Sequence, residues 1–226
     1  MTSPRSFDPV WTELYEAGQQ LCRWPWDSVV TFVLREAPRD RPRAEVRILE
    51  VGCGAGANLW FAAREGFSVA GVDASPPAVA EAWRRFEADG LDADLRIADF
   101  TELPFADASF DLAIDRAALS CCGFSTAAKA VAEIHRVLRP GGRFFFNPYS
   151  DRCTSAASGS EGADRLRHGI DTGSLVGVGQ LCFYNRAMIG ELFATGWSLL
   201  AVQHVVGEEE HEACSHADWR VVAEKR

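Results

Sequence analysis

One segment constrains the fold of this chain more than any other: Glu50-Val51-Gly52-Cys53-Gly54-Ala55-Gly56-Ala57-Asn58. It follows a short apolar run, residues 46–51, and opens a stretch of helical character, residues 55–65. Glycines at alternate positions let the backbone turn sharply and let a ligand approach with no Cβ in the way. Asp73 closes the next apolar run, residues 68–72, and an acid there accepts hydrogen bonds from both hydroxyls of a ribose. Strand, glycine turn, helix and a second strand ending in an acid form the first crossover of a parallel sheet. Ligands of such sheets bind at the carboxyl ends of the strands.

The alternation continues along the chain. Residues 76–89 read as a helix, with Pro76 and Pro77 in the first turn and Ala78, Val79, Ala82, Trp83 and Phe86 on one face. Residues 93–97, 110–114 and 143–147 read as strands, and 126–138 as a helix stopped by Arg139-Pro140-Gly141-Gly142. Before the first strand, Trp11, Leu14, Tyr15, Gly18 and Leu21 recur at helical spacing, and Asp27 is placed to cap a helix over 27–34. Residues 150–182 are polar, Gly/Ser-rich and without periodicity, which predicts a lid or a loop. Residues 185–194 read as a helix, and 198–206 and 219–223 as two closing strands joined by the acidic turn 208–212. The expected organisation is one domain: a helical cap (1–45), a cofactor-binding core (46–150), a substrate lid (151–184) and a closing helix and strands (185–226).

Charge narrows the ligand. Gly52, Gly54 and Ala57 satisfy a loose dinucleotide spacing, while Gly52, Gly54 and Gly56 with the leading acid Glu50 satisfy a second pattern. A diphosphate favours backbone N–H groups and a helix N-terminus with no carboxylate beside them. A tail carrying an ammonium and a sulfonium favours anions. Glu50, Asp73, Asp99 and Asp115 all fall at expected strand ends on one edge, so the crevice is acidic and suits a cationic adenosyl ligand. The net charge of −9 also argues against a nucleic-acid partner. No apolar run approaches the ~20 residues that span a bilayer, and the polar start is unlike a secretory signal. Seven scattered cysteines, an odd number with no Cys-x-x-Cys pair, read as reduced thiols of a cytoplasmic protein.

The chain resembles the class I S-adenosylmethionine-dependent methyltransferases from about residue 46 to residue 150, and more loosely beyond. The resemblance rests on five pieces in order: Ile48-Leu49-Glu50-Val51-Gly52-Cys53-Gly54-Ala55-Gly56; Val72-Asp73-Ala74-Ser75; Ala98-Asp99-Phe100 with Leu103-Pro104-Phe105; Phe110-Asp111-Leu112; and Glu133 through Gly142. It implies an α/β fold: a Rossmann-like, seven-stranded, mostly parallel sheet with an antiparallel closing strand, helices on both faces and an N-terminal helical cap. It implies S-adenosyl-L-methionine as cofactor, with S-adenosyl-L-homocysteine as product. Gly52, Cys53 and Gly54 would line the methionine tail, with Gly56 and Asn58 completing the turn, and Glu50 would hold the tail from below through water. Asp73 would take the ribose, Ala74 and the Phe100 backbone would meet the adenine, and Asp99 would accept from its amino group. Asp115, Arg116 and Ala117 would form the wall near the sulfonium.

The expected acceptor is a small organic molecule, methylated at O or N. The end of the fourth strand, Asp115-Arg116-Ala117-Ala118, lacks the motifs of the family's base-modifying branches, and Asn147-Pro148-Tyr149 reads as a turn. Candidate catalytic groups are Asp115, Tyr15 and His168, the last standing beside Arg165 and Arg167 in the expected lid. Arg116 is placed either to bind a substrate carboxylate or to pair with a neighbouring acid. No metal site is expected: Cys121, Cys122, Cys153 and Cys182 match no zinc spacing, and His211, Cys214 and His216 stand without a partner cluster. The rival readings are an NAD-dependent oxidoreductase, a non-catalytic Rossmann-like module, and a methyltransferase acting on protein or nucleic acid. The sequence leaves the oligomeric state open.

Overall fold

The computed structural model of the chain describes residues 7–209 and 214–226. The first five strands are β1 (Arg47–Val51), β2 (Ser68–Asp73), β3 (Asp94–Ile97), β4 (Phe110–Asp115) and β5 (Leu138–Phe146). Three short strands follow, β6 (Ser160–Glu161), β7 (Leu166–His168) and β8 (Leu181–Cys182), and then two long ones, β9 (Trp197–Glu209) and β10 (Cys214–Lys225). The main sheet has seven strands in the order β3-β2-β1-β4-β5-β10-β9. β1 to β5 pair in parallel. β10 runs antiparallel to both β5 and β9, which makes it the closing strand.

Helices cover both faces, and the period-2 alternation of the strands decides which core each side chain joins. On one face, α2 (Asp27–Glu36), α3 (Ala57–Arg64) and α4 (Pro76–Ala88) pack Val29, Phe32, Val33, Leu59, Ala62, Val79, Ala82 and Phe86 against Ile48, Leu112, Ile114 and Phe145. On the other, α5 (Phe124–Val137) and α6 (Arg186–Leu192) pack Ala127, Ala130, Val131, Ile134 and Ile189 against Leu49, Val51, Phe144 and Phe146. Phe144, Phe145 and Phe146 thus serve the two cores in turn.

The N-terminal segment divides between the expected cap and a second task on the sheet. α2 is a sheet-covering helix whose Phe32 stacks on Phe145 at 5.1 Å between ring centres. Of the two N-terminal helices only α1 (Val10–Glu16) lies at the ligand edge, together with the residues on either side of it up to Trp26. It ends before Gly18 and Leu21 because Gly18 (φ +71°) and Gln20 (φ +57°) turn the backbone left-handed. Asp27 occupies the first turn of α2 and the extended Trp26 is the cap residue.

Residues 150–182 are an ordered unit and not an open loop. They fold as an antiparallel ribbon, β6-β7-β8, over a small core of Cys153, Ile170, Leu175, Leu181 and Phe183 closed by Ala217 of β10. Asp164 ties the ribbon to α5: its carboxylate accepts from Ser125 N at 3.0 Å and from Ser125 Oγ at 2.6 Å. Among the described residues no helix is long and apolar enough to cross a membrane.

Candidate active site

The turn after β1 is built as its sequence demands. Gly52, Gly54 and Gly56 have φ of +63°, +53° and +76°, a conformation that costs a residue with a Cβ about 1–2 kcal/mol. Space forbids side chains there as well. A Cβ on Gly52 would run into the Ala118 methyl, and one on Gly54 into the Tyr15 hydroxyl. Gly52 and Gly54 therefore let the β4–α5 connection and α1 close over the turn, and Gly56 lets α4 pack against it.

These elements enclose a cleft of about 1090 Å³, including its open mouth, along the carboxyl ends of the strands. Strand order lays out its walls. Ala74 and Phe100 stand at the β2–β3 end with Asp73, and the glycine turn with Glu50 and Asn58 lies over β1. Arg116, Ala117, Ala118 and Cys121 from the end of β4 and Tyr149 after β5 form the other end. Asp8, Trp11, Tyr15 and Trp26 come across from the N-terminal segment.

Buried acids underlie the cleft. Glu50 is 2% exposed; its Oε1 accepts from Asn58 Nδ2 at 2.6 Å, and its Oε2 is buried without a partner. Burial pushes its carboxyl up to about 8, and Asp115 and Asp73 add to this against the Asn58 bond. Asp73 accepts from Gly54 N and Ser75 N, both at 2.8 Å, so it braces the glycine turn; burial raises its pKa against these two bonds. Asp115 is fully buried, accepts from Leu119 N at 2.9 Å through Oδ1, and leaves Oδ2 unpartnered. Burial pushes it up to about 7.

Most expected site residues come together in this cleft: Glu50, Gly52, Cys53, Gly54, Gly56, Asn58, Asp73, Ala74, Phe100, Arg116, Ala117 and Tyr15 line it. Cys53 contributes backbone, since its Sγ packs toward Gly71 on the core side. Three residues fall elsewhere. His168 sits on β7 of the ribbon, paired with Ser160, and no residue of 151–184 lines the cleft. Asp115 is sealed beneath the wall, so it holds the turn after β4 instead of facing an acceptor. Asp99 is turned to its own loop, where Oδ1 accepts from Thr101 N and Oγ1 at 2.8 and 2.7 Å. Burial and the nearby Asp73 raise the phenol pKa of Tyr15. Asp8 and Tyr149 also line the cleft; neither belongs to a motif, and only the fold brings them there. Of the expected metal-like trio, His211 lies outside the described residues, and no cluster of three or more metal-ligating groups occurs among those described.

A parallel sheet of this order with a left-handed glycine turn over buried acids defines a nucleoside-binding α/β domain. Residues 49–146 match the family model described as "Methyltransferase domain". The demethylmenaquinone methyltransferase of Thermus thermophilus is 38% identical over 117 residues, 50% of this chain and 49% of that protein. The malonyl-[acyl-carrier protein] O-methyltransferase of Pseudescherichia vulneris is 35% identical over 146 residues, 65% of this chain and 50% of that protein. The alignments thus span about half the length of these relatives. In fold, the chain is similar to the 1,6-didemethyltoxoflavin-N1-methyltransferase of Burkholderia thailandensis, at a TM-score of 0.69 and 19% identity, covering 100% of this chain and 91% of that one. Residues 49–146 thus carry a methyltransferase domain, and in sequence and fold the chain is similar to the S-adenosylmethionine-dependent methyltransferases.

The residues present fit the family's cofactor. The left-handed glycines present bare backbone to the cleft where a tail would lie, and the orphaned carboxylate oxygens of Glu50 and Asp115 lie at and beneath the same part of the cleft. Arg116 is the one basic residue among the described lining residues, against Asp8, Glu50 and Asp73. That balance favours a cationic ligand over a diphosphate.

Proposed function

We propose that this chain transfers the methyl group of S-adenosyl-L-methionine to an oxygen or nitrogen of a small organic acceptor. The observation that carries the reading is Glu50: a buried carboxylate with one oxygen unpartnered, directly under a turn of three left-handed glycines. Burying an acid without an ion pair is costly, and a cationic ligand offsets that cost. The relatives named above act, by their names, on a quinone precursor, a carrier-bound malonyl group and a toxoflavin precursor, which favours small acceptors here too.

When bound, the cofactor supplies an electrophilic methyl on a sulfonium whose charge disperses as the methyl leaves. The chain's own residues then have three tasks. Asp73 accepts from the ribose while bracing the turn, Ala74 and the Phe100 backbone hold the adenine, and Asp99 orders the loop that carries Phe100. Gly52, Cys53, Gly54 and Gly56 meet the tail through backbone, with Glu50 held in place by Asn58. Tyr15 closes the top of the turn, Ala117 forms the wall, and Asp115 fixes that wall from within by capping the turn at Leu119. Alignment of two reactants in such a cleft supplies about 7–11 kcal/mol in favourable cases.

The test is calorimetric titration with S-adenosylmethionine and S-adenosylhomocysteine, followed by methyl transfer to pooled small hydroxyl and amine acceptors. Asp73→Ala is expected to weaken both nucleosides at least tenfold. Unchanged affinity would remove the ribose assignment.

A further inference from the structure

Arg116 stands out in a cleft whose other charged lining residues are acids, because it has no acid of its own. No carboxylate of the described residues lies within 4.0 Å of its guanidinium, although most other arginines of the domain are so paired. Its Nε is buried without a hydrogen-bond partner. Two aromatic residues hold it instead: the guanidinium carbon is 3.9 Å from the Trp26 ring centre, and Tyr149, its ring centre 5.8 Å away, meets the guanidinium with its hydroxyl. With Trp26 on one flat face and Tyr149 meeting a single donor, the guanidinium keeps further in-plane N–H donors for a ligand, and that planar fork matches a carboxylate. The backbone bends sharply at the next residue, where Ala117 takes φ +63° without being a glycine. Left-handed backbone at a non-glycine residue carries a cost that clusters at functional sites.

Its position identifies which ligand it serves. Arg116 and Tyr149 follow β4 and β5, whereas Asp73, Ala74 and Phe100 lie over β2 and β3, on the far side of β1. The cation therefore faces the end of the cleft opposite the nucleoside. Asp8 lines that end too, its carboxylate already accepting from Val10 N and Gln180 N at 3.1 and 3.0 Å. Glu50 and Asp115 feel the cation through space, but no hydrogen bond joins either of them to it. One cation among acids suits a single negative charge better than a doubly charged phosphate.

We propose that the methyl acceptor of this cleft carries a carboxylate, bound by the Arg116 guanidinium where Trp26 and Tyr149 hold it. The proposal rests on the transfer reading above, since it names the charge of that reaction's acceptor. A carboxylate can also come from the methionyl tail of the cofactor, and the experiment separates the two sources.

Benzoate and benzamide, matched in shape and differing in charge, are titrated into the S-adenosylhomocysteine complex of the wild type, Arg116→Gln and Arg116→Lys, with heat and melting temperature as readouts. S-adenosylhomocysteine and 5′-methylthioadenosine, which lacks the methionyl carboxylate, are titrated into each protein separately. The expected result is benzoate binding at least tenfold tighter than benzamide in the wild type. That preference is lost in Arg116→Gln and partly kept in Arg116→Lys, with both nucleosides within twofold of wild type. Arg116→Lys keeps the charge and serves as the folded comparison if Arg116→Gln melts early. The proposal is overturned if the wild type shows no preference for benzoate, or if the preference survives in Arg116→Gln. It is overturned equally if Arg116→Gln weakens S-adenosylhomocysteine tenfold and spares methylthioadenosine, which assigns the cation to the cofactor's tail. A wild type that binds no adenosyl ligand defeats the transfer reading instead. The benzoate titrations are then run on the free protein, where an Arg116-dependent preference upholds the anion site and its absence removes it.

Discussion

Asn58 donates a hydrogen bond from Nδ2 to Glu50 Oε1 at 2.6 Å, and its own Oδ1 accepts from Trp26 N at 3.0 Å. One amide therefore joins the acid beneath the glycine turn to the segment that closes the cleft. It also orients Glu50 so that the remaining oxygen, Oε2, is the one left for a ligand.

Glu50→Gln keeps the shape and removes the charge. The expected outcome is a loss of at least tenfold in S-adenosylmethionine affinity, with a smaller loss for S-adenosylhomocysteine, whose sulfur is neutral. Calorimetry of the two ligands on the two proteins checks this. Equal affinities in wild type and variant would show that the carboxylate does not feel the ligand's charge.

The same acid sets a pH dependence. Burial raises Glu50 to about 8 and Asp115 to about 7, so the folded protein holds protons on them that the unfolded chain releases near 4 to 4.5. The native state binds more protons across that interval, and its unliganded stability is expected to fall as pH rises from about 5 to 8. Cationic ligand binding runs the other way: it favours the ionised acids, so S-adenosylmethionine affinity rises over pH 6–9 and binding near pH 7 releases protons. Titrations at one pH in buffers of different ionisation enthalpy measure that release. A wild-type profile matched by Glu50→Gln would place the linkage elsewhere.

Gly54→Ala adds a Cβ into the Tyr15 hydroxyl on a left-handed backbone. The backbone term alone costs about 1–2 kcal/mol. Combining it with Tyr15→Phe removes the hydroxyl and is expected to recover part of the lost melting temperature. Additive effects of the two substitutions would show that Tyr15 and Gly54 do not meet.

The ribbon yields a contrasting pair. Asp164→Ala removes the acceptor at the start of α5 and is expected to cost about 1 kcal/mol. At about 2–4 °C of melting temperature per kcal/mol, that loss is measurable, and nucleoside affinity is expected to stay unchanged. His168→Ala is expected to leave turnover within twofold, because His168 does not line the cleft. A large loss of turnover would bring the ribbon back as a cover for the site.

Much of this architecture was legible because the glycine turn, Asp73 and the apolar runs of β1, β2 and β4 are local signals that burial on both faces only reinforces. β5 was read as starting at 143 because Pro140 and two glycines mark a turn, whereas the chain already pairs at Leu138 and takes up the turn as a register shift. The ribbon was illegible because strands of two or three residues are too short to show a period. Tyr15 was placed by helical spacing and its aromatic neighbours. Asp8 and Tyr149 reach the cleft only through tertiary packing, and the burial of Asp115 depends on the turn that folds over it. Whether Arg116 has a partner was equally open in the sequence, since the distances to neighbouring acids exist only once β1 and β4 are side by side.

The most direct measurement is a calorimetric titration of the wild-type chain with S-adenosylmethionine, S-adenosylhomocysteine and NAD. The account expects one site for each adenosyl ligand, no heat from NAD, and loss of the adenosyl sites in Asp73→Ala. Binding of NAD in place of the adenosyl ligands, or of neither class, would contradict it.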